Sequence, residues 1–213
     1  MLSWPPTLPP TRTLVIAVVI VVAVALAAFG GWAWYDASQR RVAGAFAAAT
    51  PQVQAAQSPE ATAESKATAI KELEGLLAQY PKARMAPEAA YDLGNLRLAM
   101  NNYAGARQAY ERALERSAPP IIATLARSGI ARTWEAERDF VKAADAYGAL
   151  VKDLDPKSFA YEETLLDWAR TLELAGRKPE AVAAYQKLLK DVPNARRADD
   201  VRTRLATLGT ATR

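Results

Sequence analysis

The sequence predicts an all-α protein in which a single N-terminal transmembrane helix precedes a solenoid of helical repeats. Two observations predict this fold: a long uncharged apolar run near the start of the chain, and a helical pattern that recurs four times at a nearly constant interval. No stretch shows the alternation of apolar and polar residues that is typical of strands. We therefore expect helices throughout and no sheet.

The composition excludes many kinds of active site. The 213 residues include no cysteine and no histidine, which rules out disulfides, thiolate nucleophiles, Ser-His-Asp triads and Cys/His metal or haem sites. The glycines are scattered and form no phosphate-binding loop. In the adjacent acidic pairs Glu162-Glu163 and Asp199-Asp200, the two side chains would point in different directions from a helix. Neither pair can therefore form an acid–base dyad by itself. We expect no catalytic residue, no cofactor, no metal site and no small-molecule substrate, and so no enzyme.

The charges are distributed evenly over the body of the chain. The formal net charge is +4, yet residues 36–193 contain 21 basic and 21 acidic residues. The surplus lies after position 193, where five arginines accompany Asp199 and Asp200. Because phosphate binding requires a basic stripe, this balance predicts that nucleic acid is not a partner.

The first element is the apolar segment Leu14–Tyr35, which contains no charged residue. As a helix, its 22 residues would span about 33 Å, the thickness of a bilayer core. Trp4 before it and Trp32 and Trp34 near its C-terminal end are typical of interfacial aromatic belts. We interpret it as an uncleaved anchor behind a Pro-rich leader, residues 1–13. The alternative is a signal peptide cleaved near Ala25-Leu26-Ala27.

The second element is a helical neck or linker, residues 36–58. The segment Asp36–Ala49 reads as helix, and Pro51 is expected to end or kink it. Ser58, followed by proline and glutamate, has the composition of a helix start. The few charges on either side of the apolar segment leave the membrane orientation open.

The remaining elements are repeats, residues 59–193. Four segments begin with alanine at positions 69, 106, 143 and 181, which are 37, 37 and 38 residues apart. Each has a large apolar residue four positions later and a small or aliphatic residue three positions beyond that, and each ends near a proline. Positions i, i+4 and i+7 share one helical face, where the small residue lets a neighbouring helix approach. In order, these residues are Leu73, Tyr110, Tyr147 and Tyr185, then Leu76, Ala113, Leu150 and Leu188.

A second amphipathic helix precedes each of the last three segments. These first helices are expected over Pro87–Met100, Pro120–Ala136 and Ser158–Ala175. Short turns at Asn101-Asn102, Glu137-Arg138-Asp139 and Gly176-Arg177-Lys178 would join them to the second helices. The first unit has a degenerate first helix, since Thr50–Ser58 is polar and contains Pro51. Residues 194–213 would form a capping helix and tail, with the helix over Asn194–Leu208.

This helix–turn–helix unit resembles the tetratricopeptide repeat, whose pattern is an aromatic or aliphatic residue, Leu-Gly, Ala, an aromatic residue, Ala and Pro. The resemblance implies a superhelical stack with a binding surface on its first helices. The matching positions are Leu93, Gly94, Ala106, Tyr110 and Ala113; Ile130, Ala131, Ala143, Tyr147, Leu150 and Pro156; and Trp168, Ala169, Ala181, Tyr185, Leu188 and Pro193.

In that register the first helices line a concave groove. Its mixture of charges and apolar groups suits a helix or an extended peptide of mixed charge. Trp134 and Trp168, also on first helices, are expected to be buried core. The predicted groove residues are Glu88, Tyr91, Asn95, Leu98, Ser128, Arg132, Glu135, Glu163, Leu166, Arg170 and Glu173.

One anchor, a short neck and several such repeats together resemble the YfgM-type ancillary subunit of the SecYEG translocon. The resemblance implies a single-pass protein of the bacterial inner membrane with periplasmic repeats. Its partners would be translocon subunits, chaperones and client segments. Three alternatives remain: an envelope-assembly adaptor, a cytochrome c maturation adaptor that binds apocytochrome tails, and a membrane-bound hydrolase that uses carboxylates and a metal.

Overall fold

A computed structural model describes residues 11–115 and 118–210, and in these ranges it is helical with no strand. The expected all-α class is therefore confirmed for the described part, while Trp4 lies outside it. Its helices are α1 (Thr11–Ala56), α2 (Ala63–Gln79), α3 (Ala86–Ala99), α4 (Tyr103–Leu114), α5 (Pro120–Ala136), α6 (Phe140–Asp153), α7 (Tyr161–Leu174), α8 (Lys178–Asp191) and α9 (Ala198–Thr210).

The chain divides into two units, the first ending at Ala45 and the second beginning at Phe46. The described part of the first unit is the portion of α1 up to Ala45, where Val21 is 66% and Trp34 70% exposed. Within the described ranges, the stretch Val19–Ala56 of this helix is the one that is long and apolar enough to cross a membrane. So much contiguous apolar surface is typical of contact with lipid or another protein.

Of the two outcomes predicted for Pro51, the end of the helix is wrong, because α1 continues through it to Ala56. Phe46, Ala49, Val53 and Ala56 recur on one face and are buried in the second unit. A proline inside a helix costs about 3 kcal/mol. Burial of a phenylalanine and a valine side chain contributes about that much or more, so the helix persists.

The predicted helix start at Ser58 is also wrong, because α2 begins at Ala63. Thr62 is the N-cap, with extended backbone, and its Oγ1 accepts a hydrogen bond from the Ser65 N–H at 3.1 Å. Ser58 closes a turn instead, since its carbonyl accepts from the Ala61 N–H at 3.1 Å. Both residue types favour caps, and the backbone hydrogen bonds decide between them.

The predicted alanine register is confirmed. Ala69, Ala106, Ala143 and Ala181 are all 0% exposed, and the aromatic or leucine side chains four residues later are buried as well. Only the third position of the first segment differs, since Leu77 rather than Leu76 is fully buried. The four small residues therefore mark the places where a neighbouring helix approaches most closely.

The helices pack in chain order, each from α2 to α8 against the next, and α9 packs on α8. The turns inside the pairs fall where the sequence predicts. Asn101, Arg138 and Gly176 have positive φ of 59°, 64° and 76°. At each turn the following N–H bonds back to a carbonyl of the preceding helix at 2.9 Å, a helix-ending motif that requires the left-handed conformation.

Tyr110 occupies the tightest packing site in the stack. Its ring lies between α3 and α5, at points where both helices carry glycine. A Cβ at Gly94 would lie 2.5 Å from Tyr110 Cε1, and one at Gly129 would lie 2.6 Å from Tyr110 Cζ. Glycine is needed at both positions because real Cβ atoms do not approach a ring so closely.

The two repeat tryptophans are less buried than expected, since both remain partly exposed. The Trp134 ring lies beneath the Arg107 guanidinium, whose carbon is 3.7 Å from the ring centroid, and Lys142 Nζ lies 4.4 Å from it. Such cation–π contacts favour an indole at the surface. Trp168 Nε1 packs close to Gly148.

Candidate functional site

The predicted groove residues lie on three first helices, and we name this surface the first-helix face. Glu88, Tyr91, Asn95 and Leu98 are on α3; Ser128, Arg132 and Glu135 are on α5; Glu163, Leu166, Arg170 and Glu173 are on α7. All are at least partly exposed. The structure brings some of them into direct contact and leaves others apart.

Arg170 connects α5 and α7. Its guanidinium donates to both oxygens of Glu135, at 2.5 Å and 3.0 Å, and to Asp167 Oδ1 at 3.0 Å. Burial raises the pKa of the Asp167 carboxyl, although the Arg170 hydrogen bond opposes that shift. About one turn further along α7, Glu173 pairs with Arg204 of α9. These charges therefore neutralise one another and hold neighbouring helices together.

Tyrosine hydroxyls from the second helices reach the same face. The Tyr110 hydroxyl donates to Asn95 Oδ1 at 2.8 Å, and the Tyr91 and Tyr110 ring centroids are 5.8 Å apart. Burial raises the pKa of Tyr110 to about 12. The buried hydroxyl of Tyr147 has no hydrogen-bond partner among the described residues, and burial raises its pKa as well.

One opening on this face is a cavity of about 270 Å³ between the end of α1, α2 and α3. Its walls combine apolar and polar side chains, and Glu88 and Asp92 of α3 line it on one side. Gln57 Nε2 donates to Asp92 Oδ1 at 2.9 Å. The apolar lining consists of Phe46, Ala49, Val53, Leu73, Met85 and Ala89.

Two more cavities follow along the face. One of about 330 Å³ is lined by Arg132, Glu135, Tyr147, Asp167 and Arg170, among others. The other, of about 230 Å³, lies between α7, α8 and α9. Its lining includes Leu166, Arg170 and Glu173 from the predicted set. The face therefore offers a series of small polar and apolar recesses rather than one deep pocket.

Three charged side chains at these cavities lie outside the predicted set. Asp92, Asp167 and Arg204 line the cavities or pair with predicted residues, yet none was predicted. The i+4 spacing from Glu88 to Asp92 and from Glu163 to Asp167 was the available signal. Leu98 and Ser128 were predicted, but they line none of these three cavities.

Asp92 should make stability depend on pH. Burial is the main cause that raises the pKa of its carboxyl, Glu88 adds to the shift, and the Gln57 hydrogen bond opposes it. A carboxyl with a raised folded pKa stabilises the fold below its unfolded pKa, and that contribution is lost as pH rises through the folded pKa. We expect Asp92→Asn to raise the thermal midpoint at pH 7 and to leave it almost unchanged at pH 4.

Thermal unfolding followed by circular dichroism, on full-length protein in a non-ionic detergent, measures this effect. The matched control is Glu111→Gln, which removes an exposed carboxylate on α4 and should change the midpoint little at either pH. A lower midpoint for Asp92→Asn at pH 7 would contradict the prediction.

The described residues contain no group of three or more acidic side chains placed to hold a metal ion. What they contain is a stack of helix pairs with a face of charged and apolar recesses. A fold and surface of this kind define a helical-repeat protein that binds other proteins.

A family model described as a tetratricopeptide repeat-like domain matches residues 12–210. The chain belongs to the tetratricopeptide repeat-like family, and its expected role is that of a protein–protein interaction scaffold. No curated protein matches it.

Proposed function

We propose that this protein is a membrane-anchored docking scaffold that works beside the Sec translocon. In this proposal it is a single-pass protein of a bacterial inner membrane with its repeats in the periplasm. The first-helix face receives translocated segments and hands them to chaperones. The division into leader (1–13), span (14–35), neck (36–58), repeats (59–193) and cap with tail (194–213) is part of the proposal.

The exposed apolar surface of α1 supports the membrane anchor. Along this helix, Val15 is 62%, Leu26 67% and Trp34 70% exposed. Lipid is the environment in which such a surface is stable, because a helix satisfies its own backbone hydrogen bonds there.

The recesses of the first-helix face support docking, and they are the observation that carries the proposal. Apolar and charged groups both line recesses along the face over three consecutive first helices. A protein segment that lies across them could fill the recesses with side chains and pair its charges with the rims. The resemblance to the translocon subunit supports the choice of the partner.

Site-specific photocrosslinking in intact membranes tests the proposal. A photoreactive residue is placed at Leu98, Ser128 or Leu166 on the first-helix face. Matched controls carry it at Glu111, Lys152 or Gln186, which are exposed on second helices. We expect crosslinks to translocon subunits from the face and none from the controls.

Other crosslinking results would either change the proposed partner or contradict docking on this face. Crosslinks from the face to envelope-assembly or cytochrome c maturation proteins would replace the translocon with one of those partners. Equal crosslinking from face and control positions, or none from the face, would contradict docking on this surface.

A further inference from the structure

The uncompensated charges of the first-helix face are mostly negative. Among the described residues, Glu88, Asp92 and Glu163 have no lysine or arginine nitrogen within 4.0 Å, although Gln57 donates to Asp92. Arg132 is the one face guanidinium in the described ranges without a carboxylate at that distance. The chain as a whole has a net charge of +4, so this face is acidic within a basic protein.

The acidic surplus is concentrated where the cavity between α1, α2 and α3 opens. Glu88 and Asp92 are four residues apart and therefore lie on the same side of α3. Their mutual repulsion contributes to the raised pKa of Asp92. A cation between them would relieve both the repulsion and the cost of burial.

The cavity has the chemistry of a receptor for a long basic side chain. Lysine and arginine carry an aliphatic stem and a charged end, and they bury the stem against apolar surface while the charge stays at a polar rim. Here Phe46, Val53 and Met85 belong to the apolar lining, and the two carboxylates lie on one side. The amides of Gln54 and Gln57 add further hydrogen-bonding groups.

We propose that the first-helix face binds a basic protein segment, with a lysine or arginine side chain seated in the cavity between Glu88 and Asp92. The inference rests on the proposed docking function and specifies the chemistry of the partner. Charge complementarity selects it, since an acidic segment would meet two unpaired carboxylates there. The net charge of the chain repels cations at long range, so a preference for basic segments has to come from this local site.

Fluorescence anisotropy with the full-length protein in a non-ionic detergent tests the inference. The probes are three labelled 12-residue peptides in which serine alternates with lysine, glutamine or glutamate. At low ionic strength we expect the lysine peptide to bind at least about tenfold more tightly than the other two. That advantage should shrink in 0.5 M salt, because exposed charges are then screened.

The decisive variant is Glu88→Gln with Asp92→Asn, which keeps the shape of the cavity and removes its charge. We expect about a tenfold loss of affinity for the lysine peptide and no change for the glutamine peptide. The matched control is Glu60→Gln with Glu111→Gln, which removes two exposed carboxylates away from the cavity and should leave binding unchanged. Circular dichroism confirms the fold of each variant.

The inference is overturned if the lysine peptide binds no better than the others, if no peptide binds, or if both double variants lose affinity equally. Persistent crosslinks from Leu98, Ser128 and Leu166 would then still support docking. Conversely, selective loss in the decisive variant without those crosslinks would support the basic-segment site and contradict the proposed function.

Discussion

Gly129→Ala is expected to destabilise the repeat stack by about 2 kcal/mol, despite the better helix propensity of alanine. The new Cβ would lie between 2.6 and 2.8 Å from three carbon atoms of the Tyr110 ring. The ring cannot move away, because Gly94 on α3 lies against it as closely. Overpacking costs about 1–3 kcal/mol, which outweighs the gain of up to about 1 kcal/mol in propensity.

The comparison that isolates overpacking is Gly75→Ala. Gly75 lies inside α2, is exposed, and has no atom within 4 Å of an added Cβ in the described chain. This variant should gain up to about 1 kcal/mol, so the two substitutions should shift thermal unfolding in opposite directions. Tyr110→Leu replaces the ring with a smaller side chain and should restore most of the stability that Gly129→Ala loses. Two shifts of the same sign would show that the ring does not set the spacing of α3 and α5.

Arg170→Glu is expected to destabilise the stack by about 2 kcal/mol at pH 7. The substitution removes the guanidinium that pairs with Glu135 and Asp167, and it places a third carboxylate beside them. Breaking a fully buried pair costs more, but the Arg170 side chain is 42% exposed, so solvent screens part of the effect. Because burial already raises the pKa of Asp167, the penalty should shrink towards pH 4 as carboxylates take up protons.

Arg132→Glu is the matched charge reversal on the same face. Arg132 is exposed and has no carboxylate within 4.0 Å among the described residues, so we expect a change within about 0.5 kcal/mol. Circular dichroism melts of both variants at pH 7 and pH 4 provide the measurement. Equal losses at pH 7 would mean that the Glu135–Arg170–Asp167 contacts add nothing to stability.

The repeat register could be predicted because its signal is local. An alanine, an aromatic side chain four residues later and a proline stop all lie within one helix, and helical periodicity converts that spacing into a buried face. The burial of Ala106, Ala143 and Ala181 follows directly from this spacing. The positions of Asn101, Arg138 and Gly176 at helix ends could be predicted for the same reason.

The ion pairs and hydrogen bonds of the first-helix face could not be predicted, because they join residues about one repeat apart. The Arg170–Glu135 pair and the Gln57–Asp92 hydrogen bond each span 35 residues. Which of several exposed charges meet across two helices depends on the rotation and offset of those helices. The sequence pattern therefore treats Arg132 and Arg170 alike, although one is free of carboxylates in the described chain and the other contacts two.

The helix end predicted at Pro51 is wrong for a related reason. Its local signal favours a helix end, but the burial of Phe46 and Val53 against α2 and α3 overrides it. The residues that decide the outcome lie 20 to 40 positions further along the chain. A rule that examines only the neighbours of a proline cannot include them.

Packing in chain order has a consequence for how the protein acquires its structure. Since each helix from α3 to α9 packs against the one before it, little loop entropy is lost when a pair forms, and no distant strand has to be found. A chain that emerges N-terminus first from the ribosome can therefore fold one helix pair at a time. When α9 follows, it brings Val201 and Leu208 onto the apolar side of α7 and α8 and so covers apolar surface that would otherwise favour aggregation.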